Sequence, residues 1–152
     1  MIYVVLLRHG EAFSSAVNPE RPLTERGVLE MQKTAKALKK LSVSFDAIYH
    51  SPKLRAKQTA EIVAKELGIK SLIETEELLP EADPQRIKEL IEIKEGKAIL
   101  CGHLPHLARL FGLLYLGIDD DNALDLKTSG AVGLKRGQRW ILDFVIFPSL
   151  LD

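Results

Sequence analysis

The chain has 152 residues, of which 46% are hydrophobic and 28% charged, and its 21 basic and 21 acidic residues cancel. This length is typical of one domain, here residues 1–152, with enough apolar surface to form a core without disulfides. The balanced charge argues against a protein that coats nucleic acid or an acidic membrane, since both favour a basic excess. The single cysteine, Cys101, cannot form an internal disulfide, and we expect its thiol to be buried.

The N-terminal apolar run has no basic segment before it and is shorter than the core of a signal peptide. No stretch approaches the roughly 18 consecutive apolar residues of a membrane span. We therefore expect a cytoplasmic protein.

Apolar runs predict buried strands, and apolar residues at helical spacing predict the helices between them. In chain order we expect a strand at 2–7, a loop at 13–23, a helix from Thr24, a strand at 47–49, a helix from Ser51-Pro52 to Gly68, a strand at 70–75, a helix from Asp83-Pro84 to Gly96, a strand at 97–101, a helix at 105–114, an acidic loop at 117–127, and a hairpin of 131–135 and 140–147. Thr24, Ser51 and Asp83 are typical N-cap residues. We interpret Asp119–Asp121 as a solvated loop, because the ligand spacing of a calcium loop is missing.

This alternation of strands and helices predicts an α/β fold. The central sheet is expected to be mostly parallel and covered by helices on both faces, with an antiparallel pair of strands at the C-terminus. The apolar C-terminal segment "VIFPSLL" could pack on the core or form an exposed contact surface, and we favour the core.

Charged or imidazole side chains follow three of the predicted strands. Arg8 and His9 follow the first strand, Arg55 lies in the helix after the 47–49 strand, and His103 follows the 97–101 strand. Ligands of open α/β sheets bind beyond the carboxyl ends of the strands, so these residues can meet in one pocket. Arginine forks and helix N-termini match the oxygens of a phosphate dianion.

Glycines follow two of these strands as well, and a histidine in such a pocket can do more than bind. Gly10 and Gly102 would let the backbone approach a phosphate closely. A neutral imidazole is a good nucleophile near pH 7 and needs no separate base. We expect His9, flanked by Arg8 and Gly10, to be the phosphoryl acceptor, and His103 to be a donor and cation beside the phosphate.

Three segments together resemble the motifs of the histidine phosphatase superfamily, which includes phosphoglycerate mutases and many phosphatases. "LLRHGEA" is similar to its RHG signature, "HSPKLRAKQTAEIV" to its second motif, and "ILCGHLPHL" to its third. The short chain, "RPLTERG" and "GHLPHL" most resemble the SixA-type branch, which removes phosphate from phosphohistidine on signalling proteins.

The resemblance implies a three-layer α/β/α sandwich with neither metal nor cofactor. It implies that His9 forms a covalent phosphohistidine and that Arg8, Arg55 and His103 hold the phosphate. The substrate it implies is a phosphorylated protein histidine or a small phosphorylated metabolite.

Five other residues have open roles. Many relatives use a carboxylate to protonate the leaving oxygen, and Glu81 is the better candidate here, ahead of Asp83, which can simply cap a helix. His50 can border the pocket or be a strand-end residue, and we favour the latter. His106 is interpreted as a packing or supporting residue. Arg21 in "RPLT" could reach the substrate or remain a solvated loop residue.

Four alternatives differ in function class. A small-molecule phosphomonoesterase and a phosphomutase belong to the same superfamily, and the short chain disfavours the mutase because a lid would need insertions. A phosphate-binding module without turnover is a third. The fourth, a metal hydrolase built on the four histidines, lacks HxH or HExxH spacing. The sequence leaves the oligomeric state open.

Overall fold

A computed structural model describes residues 1–151. The strands are β1 (Ile2–Arg8), β2 (Ala47–His50), β3 (Leu72–Glu74), β4 (Gly96–Gly102), β5 (Ala131–Arg136) and β6 (Trp140–Ile146). The helices are α1 (Glu25–Lys39), α2 (Leu54–Leu67), α3 (Pro84–Lys94) and α4 (His106–Phe111), which continues as a π-helical turn over Gly112–Leu116. Short 3₁₀ turns lie at Glu76–Leu78 and Pro148–Leu150.

The six strands form one sheet in the order β3-β2-β4-β1-β5-β6. The first four strands are parallel, whereas β5 and β6 run antiparallel at the other side of the sheet. Arg8 pairs with Gly102, and Cys101 pairs with His50, so the carboxyl ends of β1, β4 and β2 are level. The predicted α/β fold, with a mostly parallel sheet and an antiparallel C-terminal pair, is confirmed.

Alternation along the strands divides the core into two layers. Val4 and Leu6 of β1 pack on one face with apolar residues of α3 and α4. Val5 and Leu7 pack on the opposite face with residues of α1 and α2. The sheet is therefore the middle layer of a three-layer sandwich, and its buried strands read as continuous apolar runs because both faces are covered.

Two of the three predicted N-caps are confirmed. The Thr24 hydroxyl accepts a hydrogen bond from the Gly27 amide, and the Asp83 carboxylate accepts one from Gln85. The third prediction is wrong, since α2 begins at Leu54 and no side chain caps it. Ser51 is instead held at the carboxyl end of β2 by a contact with His103, described below.

The C-terminal part of the chain also differs from expectation. The predicted helix at 105–114 begins one residue later and continues as a π-helical turn, which ends at Gly117 in the left-handed conformation. The segment "VIFPSLL" packs on the core only in part. Ile146 contacts the core, whereas Val145 is 44% and Leu150 63% exposed, because β6 is an edge strand. None of the helices in the described residues is both long and apolar enough to cross a membrane.

Candidate active site

Side chains from three parallel strand ends converge at one edge of the sheet. His9 follows β1 and His103 follows β4, and their ring centroids are 5.1 Å apart. The His9 amide donates to the Gly102 carbonyl at 3.1 Å, and the Ser51 amide donates to the Cys101 carbonyl at 3.1 Å. The parallel ladder thus extends into the residues that follow each strand and brings the two histidines together.

His9 is held in one tautomer. Its Nδ1 lies 2.7 Å from the Gly10 carbonyl oxygen, which can only accept, so Nδ1 carries the proton of the neutral ring. Burial lowers the pKa of His9 to about 4, assisted by the positive charges of Arg55, Arg8 and Arg21, while the Gly10 contact opposes the shift. The ring is therefore neutral at pH 7, and Nε2 keeps its lone pair.

Two arginines face His9 with part of their donors unused. Arg8 donates from one terminal nitrogen to the Leu126 carbonyl at 2.8 Å. The buried Nε atoms of Arg8 and Arg55 have no hydrogen-bond partner within residues 1–151. Burial lowers the pKa of both guanidiniums, and the charge of Arg21 lowers that of Arg55 further. Both stay charged at neutral pH, because an arginine in a protein is effectively never deprotonated.

Arg21 lies near the same site, although it belongs to the loop before α1. Its Nε donates to the Phe13 carbonyl at 2.9 Å, and its backbone is in the left-handed region with φ of 51°. Its charge lowers the pKa of both His9 and Arg55. Three arginines are thus near enough to His9 for their charges to lower its pKa.

His103 has one polar partner, which the sequence did not single out as a site residue. Its Nε2 lies 2.8 Å from the Ser51 hydroxyl, and the buried Nδ1 has no partner within residues 1–151. Burial lowers the pKa of His103 to about 3, with smaller contributions from His9 and Arg55. The signal for Ser51 was its position directly after β2, in the motif "HSP", but helix-capping rules explained that serine equally well.

A second missed residue is Ser129, in the loop before β5. Its amide donates to the His9 carbonyl at 3.1 Å, and its own carbonyl accepts from the Thr34 hydroxyl at 2.7 Å. Ser129 is fully buried with φ of 61°. This loop holds the backbone of His9, and the only local signal was a Ser-Gly pair in an unpatterned segment.

Gly10 and Gly102 each lie close to the backbone of another segment of the protein, where a side chain would be crowded. A Cβ on Gly10 would lie 3.1 Å from the Gly27 carbonyl oxygen, and one on Gly102 would lie 3.3 Å from that of Leu78. The Gly10 amide donates to the Thr59 hydroxyl at 3.0 Å, so this donor is already engaged. The close approach of backbone to phosphate that we predicted at these glycines stays a prediction.

The candidate acids lie in the loop before α3. Glu81 is exposed, and its charge adds to the effect of Asp119, whose hydrogen bond is the largest cause of the raised pKa of Arg109. Asp83 caps α3. Neither carboxylate contributes to the pKa shifts of His9 or His103. A role for Glu81 as the acid stays a prediction.

The remaining two histidines have separate environments. The Nδ1–H of His50 donates to the Ser51 carbonyl at 3.0 Å, and the role of His50 as a strand-end residue stays a prediction. His106 is fully buried, and neither ring nitrogen has a partner within residues 1–151. Burial and then the charge of Arg109 lower its pKa to about 4. Within the described range, no three His, Cys, Asp or Glu side chains are grouped closely enough to hold a metal ion.

Taken together, these residues can bind an anion and attack it. The arginines supply positive charge, and the Nε2 of His9 supplies an uncharged nucleophile. Such a combination suits a phosphate dianion, because phosphoryl transfer needs mainly position and positive charge around the phosphate oxygens.

Sequence comparisons find two informative relatives. An uncharacterised protein of Picosynechococcus sp. is 34% identical over 138 residues, which cover 86% of this chain and 82% of that protein. The phosphohistidine phosphatase SixA of Escherichia coli strain K12 is 39% identical over 82 residues. That alignment covers 53% of this chain and 49% of SixA, so the chain matches about half the length of this relative.

Comparison with solved structures gives matches over nearly the whole chain. A tungstate complex of the protein histidine phosphatase SixA has a TM-score of 0.85 and 26% identity, covering 98% of this chain and 99% of that one. A protein assigned as phosphohistidine phosphatase SixA in Agrobacterium tumefaciens has a TM-score of 0.81 and 25% identity, covering 95% and 97%. The model of the histidine phosphatase superfamily (branch 1) matches residues 4–99. This match covers more than half of the sequence, and the chain belongs to the histidine phosphatase superfamily.

Proposed function

We propose that this chain is a metal-independent phosphatase that removes phosphate from phosphohistidine on a protein, through a covalent intermediate at His9. The observation that carries the proposal is the fixed tautomer of His9, whose Nδ1–H donates to Gly10 and leaves Nε2 free among the arginines. We further propose that the chain acts as a single cytoplasmic domain, without a cofactor and without nucleic acid as a partner.

In the proposed reaction, the Nε2 lone pair of His9 forms a bond to phosphorus while the P–N bond of the substrate breaks. The electron pair of that bond stays on the substrate histidine, which leaves as a neutral imidazole because its other ring nitrogen carries a proton. Arg8 and Arg55 offset the negative charge on the phosphate oxygens. His103 is neutral at pH 7 when no anion is bound, since its pKa is about 3. A phosphate dianion beside the ring would favour its protonated, donating form. Water then attacks phosphorus, the N–P bond breaks, and its electron pair returns to Nε2 as phosphate leaves.

Two observations support phosphohistidine as the substrate. Relatives at 39% and 26% identity are named as SixA phosphohistidine and protein histidine phosphatases. The two candidate acids, Glu81 and Asp83, are exposed in the loop before α3, and neither contributes to the pKa shifts of His9 and His103. An imidazole whose other nitrogen is protonated needs less help from an acid than an alkoxide does, so a site whose candidate acids are both exposed suits phosphohistidine better than a phosphate ester.

The test compares phosphate release from a phosphohistidine protein, p-nitrophenyl phosphate and a set of sugar phosphates. Release from phosphohistidine should be the fastest, should vanish in His9→Ala, and should be unchanged by EDTA. The control is Lys57→Ala, an exposed change on α2 at a residue that we do not place in the reaction. Turnover that persists in His9→Ala would contradict the proposed intermediate.

The same assay separates the alternatives. Faster release from esters would indicate a small-molecule phosphomonoesterase, and Glu81→Gln would then test the predicted acid. Tight phosphate binding without release from any substrate would indicate a binding module. Loss of activity in EDTA, restored by a metal ion, would overturn metal independence.

A further inference from the structure

A cavity of about 280 Å³ lies at the edge of the sheet opposite the candidate active site. Ile2 and Val4, near the start of β1, line it, whereas Arg8 at the end of that strand belongs to the active site. With a rise of about 3.3 Å per residue, β1 separates Val4 from Arg8 by about 13 Å. The cavity is therefore distinct from the phosphate site.

The register of the sheet creates this cavity. Val4 of β1 pairs with Ala98 of β4, and Ala98 pairs with Ala47 of β2, so two alanines lie side by side in one row. The next row on the same face has the larger side chains of Leu100 and Tyr49. The two methyl groups are too small to fill the layer, and a depression results below the larger row.

The last turn of α3 covers this depression only in part. Ile91 packs over it, and α3 ends three residues later at Lys94. A single residue, Glu95 with φ of 52°, connects the helix to β4. So short a connection leaves no further turn of helix to close the depression, which therefore stays open at the end of the layer.

The walls of the cavity are largely apolar, and the Tyr49 and Ser71 hydroxyls are its uncharged polar side-chain groups. Ile2, Ile73 and Ile91 complete the walls around the two alanines. Tyr49 lines the cavity and its ring packs in the core, so its hydroxyl is the polar group that it can offer to a bound molecule. A molecule in the cavity would therefore meet a largely apolar surface and the hydroxyls of Tyr49 and Ser71, each of which can both donate and accept.

The charges at the mouth cancel. Lys94 and Lys97 carry two positive charges there, and Asp46 and Glu95 carry two negative ones. One Asp46 oxygen already accepts a hydrogen bond from the Lys97 amide at 2.9 Å. The mouth has no charge excess that would select an anion or a cation.

We propose that this cavity binds a small neutral molecule with a flat apolar body and one hydrogen-bonding group, which pairs with the Tyr49 hydroxyl. A volume of about 280 Å³ lies near the lower end of the roughly 300–1,000 Å³ that is typical of small-molecule sites, so a compound of about the size of a bicyclic aromatic suits it. Ligand sites typically have this character, with apolar walls and few polar groups that fix orientation.

Indole and indene are suitable probes, because they differ mainly in an N–H replaced by a CH₂ group. Titration of the full chain, followed by amide NMR, should shift signals of Val4, Ala47 and Ala98 but leave those of His9 and His103 unchanged. Tyr49→Phe should weaken indole about fivefold, the effect of one net hydrogen bond, and leave indene unchanged. This conservative variant keeps the ring that packs in the core.

A second variant fills the site. Ala98→Leu should weaken both probes at least tenfold, whereas Ala16→Leu, an exposed control in the loop before α1, should change neither affinity. Unchanged indole affinity in Ala98→Leu, or the absence of saturable shifts around the cavity, would overturn the site. Tighter binding of benzoate or benzylamine than of indole would overturn the choice of a neutral ligand.

Discussion

The most informative perturbation of the active site is a titration of His9. Its pKa is about 4 instead of the ordinary 6.5, with burial as the largest cause and Arg55 as the leading charge. At pH 5.5 a ring with pKa 4 is about 97% neutral, whereas a ring with pKa 6.5 would be about 9% neutral. We therefore expect the neutral fraction of His9 to stay almost constant between pH 7.5 and pH 5.5, so the rate of phosphoryl transfer to His9 should not fall for lack of nucleophile.

The titration can be followed directly by NMR of the His9 ring in phosphate-free buffer, with the signal assigned from its loss in His9→Asn. Arg55→Gln should raise the measured pKa toward 6.5 without reaching it, because burial remains. Lys57→Gln, an exposed change on the same helix, is the matched control and should leave the pKa in place. Rapid-quench measurement of phosphoenzyme formation at the two pH values gives the functional counterpart.

Two results would refute this reasoning. A His9 pKa near 6.5 in the folded chain would mean that burial and the arginines do not control the ring. An equal shift of the pKa in Arg55→Gln and Lys57→Gln would mean that the neighbouring guanidinium has no special effect. The first result would mean that His9 is largely protonated at pH 5.5. The second would mean that Arg55 does not control the charge of the ring.

Three further predictions concern supporting residues. Ser51→Ala leaves the buried Nε2 of His103 without its partner, so the free energy of unfolding should fall by about 1–3 kcal/mol and turnover should drop. Urea unfolding and phosphate-release assays measure the two effects. The exposed control Ser44→Ala should change neither. His106 has a pKa of about 4 in the fold against 6.5 unfolded, so acid favours unfolding across that window, by about 2 kcal/mol from pH 6.5 to pH 5. His106→Leu should reduce the stability lost on acidification by about that amount, and an equal loss in both proteins would contradict it. A methyl group on Gly27 would collide with the Glu11 carbonyl oxygen, so Gly27→Ala should destabilise the fold by about 1–3 kcal/mol in thermal unfolding. Gly137 has open space around it, so the control Gly137→Ala should leave the stability unchanged.

The sequence was informative where one physical rule dominated. The buried run of β1 ends abruptly at Arg8 and His9, and parallel strands bring their carboxyl ends together, so the pairing of His9 with His103 could be anticipated. Local capping rules were equally sufficient for Thr24 and Asp83, whose side chains bond to nearby amides. In each of these places, local pattern and tertiary contact favour the same structure.

The rest depended on contacts between distant segments. Ser51 has the pattern of an N-cap, but its hydroxyl meets His103, which is 52 residues away. Ser129 meets the backbone of His9 from a loop that has no apolar periodicity. Position 10 needs a glycine because a side chain there would be crowded by the Gly27 carbonyl on α1, not because the backbone needs an unusual conformation. Such tertiary contacts leave no period in the sequence and cannot be deduced from single-chain patterns.

The environment of His9 and His103 also bears on which leaving group the site is proposed to favour. The pKa values of His9 and His103 are lowered by burial and by positive charge, and neither Glu81 nor Asp83 contributes to these shifts. A site of this kind favours an incoming dianion strongly but offers no buried acid to an outgoing alkoxide. A phosphohistidine that is protonated on its other ring nitrogen releases neutral imidazole without that assistance, and neutral imidazole is the same kind of ring that accepts the phosphate on His9. The electrostatics that make His9 a neutral nucleophile are therefore those that favour phosphohistidine over phosphate esters.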